Sequence, residues 1–175
     1  MTAEVQEKWL KWVALTTTIL AVCASFASLK GGGYSTQVQL TTTQVTNQWS
    51  FYQAKSVKLH LAEMERDLLQ VELLKNDAPL VVDKIQGKIK DLEKNIIRYD
   101  KEKDAIKEKA EGIENGQAVL KRHGGNFGLA VMLLQVSIML SAIGSLLKQR
   151  SAWQFGLLIG AVGIIYFING FLLIF

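Results

Sequence analysis

The chain has 175 residues, 49% of them hydrophobic and 21% charged, with a formal net charge of +4. The distribution argues against one soluble domain: the apolar residues fall in one block near the start and two at the end, and almost every charge lies between them. Nor does the basic balance mark a nucleic-acid binder, because Tyr34 to His123 holds 15 Lys and Arg against 14 Asp and Glu, with no basic stripe carrying interleaved aromatics.

The uncharged stretches run from Trp12 to Leu29, Asn126 to Leu147 and Ala152 to Phe175, which is 18, 22 and 24 residues. About 20 residues at 1.5 Å each cross ~30 Å of hydrocarbon, and a backbone in lipid must satisfy its own hydrogen bonds, so each is expected to be a transmembrane α-helix. The first is diluted by Thr16, Thr17, Thr18, Ser25 and Ser28. It also admits a signal-peptide reading, with Lys8 and Lys11 before an apolar core and Ser25-Phe26-Ala27 as a cleavage site. Leu20-Ala21-Val22-Cys23 is a faint lipoprotein box, spoiled by the large Val22. An uncleaved anchor is the expectation. Trp9, Trp12 and Trp153 mark one interface, and Tyr34 the other. The lone cysteine, Cys23, excludes an intramolecular disulfide and a cysteine-built zinc site.

The middle of the chain reads as two paired helices. From Val82 the apolar residues follow steps of three and four: Val82, Ile85, Ile89, Leu92, Ile96, Tyr99, then Ile106, Ala110, Ile113 and Leu120, with Lys103 and Gln117 interrupting the seam. The preceding arm offers Val57, Leu61, Met64, Leu68 and Val71 as the partner seam, widened by Leu69, Leu73 and Leu74. Charges at i, i+3, such as Asp91 with Lys94 and Asp100 with Lys103, solubilise the outer faces. Asn76-Asp77-Ala78-Pro79 supplies the turn, with Pro79 suited to a first helical turn. The arms, Tyr34 to Lys75 and Pro79 to Arg122, are nearly equal and would each reach about 60 Å, which returns the chain to the membrane it left. Gly31 to Gly33 and Gly124-Gly125 read as hinges or breaks. Trp49, Phe51 and Tyr52 fall on more than one face, and either pack on the other arm or meet a partner.

The fold expected is therefore all-α: three transmembrane helices plus a long antiparallel coiled-coil hairpin. Its parts are residues 1–30, a hairpin over 34–123 turning at 76–79, and a span pair over 126–175.

Lipid gives helices no hydrophobic reason to associate, so small and polar residues must do it. The second span has Ser137 and Ser141, and the third Gly156, Gly160 and Gly163. Gln135 and Asn169 are the amides well inside these spans. They are expected to bond to each other, the alternative being a ring of amides lining a pore.

His60 and Glu63 sit one turn apart, but further metal ligands are not visible, and a solvated surface histidine is the plainer reading. No P-loop, nucleophile elbow or kinase signature occurs, so no catalysis, metal or cofactor is expected. Lys121, Arg122, Lys148 and Arg150 flank the spans and suit anionic headgroups. Positive-inside counting is nearly tied. The short acid-free loop at Lys148 to Arg150 tips it toward the cytoplasm, which puts the hairpin outside, in the periplasm of a Gram-negative cell.

Glu7-Lys8-Trp9, the segment Lys30 to Thr36, Asn47-Gln48-Trp49 and Tyr52-Gln53-Ala54-Lys55, in this order around three spans and a hairpin, resemble a family of small bacterial membrane proteins known only as a domain of unknown function. The resemblance implies a bacterial inner membrane and no known activity. The function expected is a non-enzymatic, self-associating membrane scaffold. A channel or transport accessory lined by small and amide residues, or a subunit accessory to another membrane protein, are the alternatives.

Overall fold

In a computed structural model the chain forms three α-helices: α1 from Ala3 to Leu73, α2 from Pro79 to Leu146 and α3 from Arg150 to Leu172. The structure describes residues 3–75 and 77–174, with side chains from Trp9 onward. Asn76 in the expected turn, the side chains of Glu7 and Lys8, and Phe175 lie outside the described residues. No strand occurs among the described residues. Each helix carries a stretch long and apolar enough to cross a membrane. The chain is therefore all-α and, by length and composition, a multi-pass membrane protein.

The helices divide into two units, Met1–Leu40 with Gln117–Phe175, and Thr41–Gly116. The first takes in several residues that the sequence assigns to the hairpin. The reason is contact: Tyr34 stacks on His123 and Phe127, and the buried Gln117 donates from Nε2 to the Val38 carbonyl at 3.2 Å.

Four of the five hydroxyls that dilute the first span, those of Thr16, Thr17, Thr18 and Ser25, are absorbed by its own backbone. Thr16, Thr18 and Ser25 donate to the carbonyls of Trp12, Ala14 and Ala21, each at 2.9 Å. A hydroxyl bonded one turn back presents mostly its methyl or methylene to lipid, so the stretch keeps its apolar character.

The expected glycine breaks do not occur. Helix α1 runs through Lys30 to Gly33 and α2 through Gly124-Gly125, and no glycine has positive φ. Glycine's helix penalty of about 1 kcal/mol is small beside the packing it permits here. A Cβ at Gly31 would stand 3.1 Å from the Phe127 Cβ, so this glycine admits a neighbouring helix.

Helix α2 ends in a Schellman turn: Lys148 N–H donates to the Ser145 carbonyl and Gln149 N–H to the Gly144 carbonyl. Lys148 takes the left-handed position, φ 54°, that glycine usually fills. Helix α3 starts at once at Arg150, so α2 and α3 run antiparallel with no spare chain.

Two glycines separate crowding from propensity. Gly160→Leu should destabilise the three-span unit by about 1–3 kcal/mol through overpacking, because even a Cβ there would stand 2.6 Å from the Ser137 Oγ. Gly128→Ala, whose Cβ would meet nothing within 4 Å, should be neutral or stabilise by up to about 1 kcal/mol. Reversible unfolding in mixed micelles measures both.

Candidate functional site

The α2–α3 contact is built on small residues in fixed register. Phe127, Leu134, Ser137 and Ser141 of α2 lie against Gly170, Gly163, Gly160 and Gly156 of α3. Ser137, Ser141, Gly156, Gly160 and Gly163 are thus brought together, and all are buried. Ser137 Oγ donates to the Gly156 carbonyl at 2.6 Å, and Ser141 Oγ to the Ser137 carbonyl at 2.9 Å. Leu20 of α1 closes the site from the third side, its Cδ2 3.1 Å from where a Gly160 Cβ would be.

The expected amide pair is not made. In this register Gln135 is level with Val162 and Asn169 with Gly128, about seven residues or ~10 Å apart along the axis. Asn169 is fully buried, and its Oδ1 accepts the Ile174 N–H at 2.7 Å. Its own carbonyl accepts Leu173 N–H at 2.8 Å, and Leu173 is left-handed at φ 48°. Asn169 is therefore part of the C-terminal cap of α3. Gln135 is exposed and lines a cleft with Ala24, Ser25, Ser28 and Leu29.

Aromatic clusters close both ends of this unit. At one end Tyr34 stacks on His123 with centroids 4.8 Å apart and planes 8° apart. Phe127 continues the stack at 5.8 Å from Tyr34 and meets Phe171 edge-on at 4.9 Å. His123 Nδ1 lies 2.8 Å from the Gly170 carbonyl. A carbonyl only accepts, so Nδ1 carries the proton. At the other end Trp9 meets Trp153 edge-on at 6.3 Å, Arg150 sits 5.8 Å over the Trp9 ring, and Trp153 Nε1 donates to Thr16 Oγ1 at 3.2 Å. The sequence marks Tyr34, Trp9 and Trp153 as interface residues. It gives no sign of their mutual contacts, which depend on helix rotation. Lys121, Arg122 and Lys148 are exposed, as is Arg150.

In the hairpin unit the α2 residues Ile85, Ile89, Leu92, Ile96, Tyr99 and Ile106 face inward, together with Lys103. The α1 side differs from expectation. Leu61, Met64, Leu68 and Val71 are 59, 61, 68 and 50% exposed, and Val57 shares their face. The residues turned inward are Val45, Gln48, Tyr52, Lys55, Leu59, Ala62, Arg66, Leu69 and Leu73, also at steps of three and four. Polar contacts accompany the buried Leu59 and Ala62 in this rotation. Lys55 donates to Glu102 and lies 5.3 Å over the Tyr99 ring, which also receives Arg98 at 5.1 Å. Trp49 Nε1 donates to Glu114 Oε1 at 2.9 Å and meets Tyr52 edge-on. Of the three aromatics offered for partner contact, Trp49 and Tyr52 are thus engaged within the hairpin, and Phe51 stays exposed. His60 Nδ1 lies 3.0 Å from Glu63 Oε2, and no group of three His, Cys, Asp or Glu gathers among the described residues.

The hydrogen bond from Lys55 holds the Glu102 carboxyl below its ordinary range, helped by the charges of Lys55, Arg98 and Lys58. The Asp100 hydrogen bond holds Lys103 above the usual ammonium range. A depressed carboxylate contributes stability above its unfolded value of about 4.3, lost as pH falls through the folded value. The raised lysine contributes below about 10.4 and loses its share as pH rises through its folded value. Glu102→Gln should therefore lower the melting temperature of the full chain near neutral pH by at most a few degrees, since the pair is only partly buried and solvent screens it. The variant should also be less sensitive to acid than the native chain between about pH 5 and pH 3. Circular-dichroism melts across that range check both.

No curated protein and no solved structure matches the chain. A family model described as a domain of unknown function, DUF4337, matches residues 9–173. That match takes in all three helices and both units, so the chain belongs to the DUF4337 family.

Proposed function

We propose that this protein is a non-enzymatic membrane scaffold that associates with further copies of itself through the outer face of α1 in the hairpin. The observation that carries this reading is the division of labour on that helix. Its inward seam mixes Gln48, Lys55 and Arg66 with Val45, Tyr52, Leu59, Ala62, Leu69 and Leu73, while its outward seam, Val57, Leu61, Met64, Leu68 and Val71, is wholly apolar and exposed. A helix normally turns its most apolar stripe inward. An exposed apolar stripe at heptad spacing suits a second helix, because knobs at those steps fit the holes of a like partner. Copies inserted in one membrane present the same face with the same chain direction, which suits symmetric pairing. Lipid headgroups are the natural contacts of Lys121, Arg122, Lys148 and Arg150. The basic, acid-free loop at Lys148 to Arg150 supports a cytoplasmic side for that loop.

A channel reading finds less support. Its lining would be Gln135, Asn169 and the serine–glycine faces, and of these only Gln135 is exposed. Asn169 is engaged in the α3 cap, and the small residues are occupied with one another.

Placing glutamates at Leu61 and Leu68 introduces charges into the outer seam without touching the inner one. In membranes at native expression, amine-reactive crosslinking of the native chain should give adducts at multiples of its mass. The double variant should lose most of them while keeping its helix content. A native chain that runs only as a monomer refutes the scaffold reading. Adducts of one fixed non-multiple mass would replace self-association with a distinct membrane partner.

A further inference from the structure

We infer that Gln135 and the cleft beside it form a span-to-span interface with a second copy, in which the two Gln135 amides bond to each other across a two-fold axis. This rests on the self-association reading and names a separate contact for it within the bilayer.

Gln135 lies nine residues beyond Asn126 and twelve before Leu147, near the middle of an uncharged stretch. It is exposed on α2. An amide facing hydrocarbon at that depth has no water to bond, and leaving it unpaired is costly. Its neighbours in the chain do not take it up. Ser25 Oγ spends its one proton on the Ala21 carbonyl at 2.9 Å and so cannot donate to the amide, and Asn169 lies about two helical turns away along the axis.

The cleft that Gln135 lines holds about 450 Å³ and is bounded by Ala24, Ser25, Ser28 and Leu29 of α1. No residue of α3 borders it. α3 packs instead on the Ser137–Ser141 face of α2. The surface is thus the side of the α1–α2 pair that α3 leaves open. On α1 its walls are the short side chains of Ala24, Ser25 and Ser28, with the larger Leu29 beside them, and on α2 a Cβ at Gly128, one heptad before Gln135, would meet nothing within 4 Å. Such a surface lets another backbone approach closely, the condition for association in lipid.

The chemistry selects the occupant. A primary amide both donates and accepts, so two of them form a reciprocal pair, and a two-fold axis brings a residue against its own copy. An acyl chain can do neither. A charged partner is unsuited, since the first unit carries no Asp or Glu beyond Glu7 and no Lys or Arg lies near this depth.

The test uses the full chain in native membranes, with Cys23→Ala removing the only thiol. Gln135→Cys in that background should form a disulfide-linked dimer on mild oxidation, while Leu158→Cys, exposed on α3, should not. In the otherwise native chain, Gln135→Leu should weaken dimerisation in lipid vesicles about 3- to 30-fold, with Gln135→Asn retaining part of it. Two results overturn the inference while leaving the scaffold reading standing. One is crosslinked multimers that survive with no Gln135→Cys dimer; the other is a dimer that forms equally at Leu158→Cys. Loss of multimers in every format overturns both.

Discussion

Within a bilayer a peptide group has no solvent to bond, and an apolar side chain gains nothing by leaving lipid for another apolar side chain. Close backbone approach and polar contacts are what remain to hold spans together. The α2–α3 contact follows from that constraint. Its glycines leave space that serines and leucines of the facing helix occupy, and Ser137 uses the proximity to reach the Gly156 carbonyl. The same economy explains α1, whose threonines and serines bond back to their own helix. It also explains Asn169, which accepts an amide at the end of α3 that lipid could not satisfy.

The hairpin unit follows a different pattern. Apolar stripes favour helix pairing, and α1 carries apolar residues on two opposite faces there. Stripe hydrophobicity would have put Leu61, Met64 and Leu68 inside. The rotation instead follows polar partners distant in sequence: Lys55 with Glu102 across 47 residues, and Trp49 with Glu114 across 65. Exposed ion pairs contribute little stability. Their effect here is on specificity, since a charged residue at an inward position suits one register and few others. The cost is an apolar face left uncovered, which is why self-association is the reading that best accounts for the molecule.

Membership of the family agrees with the resemblance carried by Lys30 to Thr36 and the Trp49 and Tyr52 segments. It brings no chemistry with it, so function has to be argued from surfaces. Two surfaces matter: the outer seam of α1, and the Gln135 cleft. They lie in different units of the chain, which makes them separable by experiment.

The sequence by itself determined the helical class, the three stretches long and apolar enough to cross a membrane, the turn before Pro79 and the inward face of α2, because each depends on local composition or on one periodicity within one helix. It also offered the serines and glycines that meet between α2 and α3 as a packing face, on a small-residue spacing that glycine-rich spans also show by chance. Only the tertiary structure decided which of two seams on α1 turned inward, that the glycine runs stayed helical, and that Gln135 and Asn169 went separate ways. Those outcomes depend on rotation about a helix axis and on axial register between helices. Both are set by partners tens of residues away, and no local pattern encodes them.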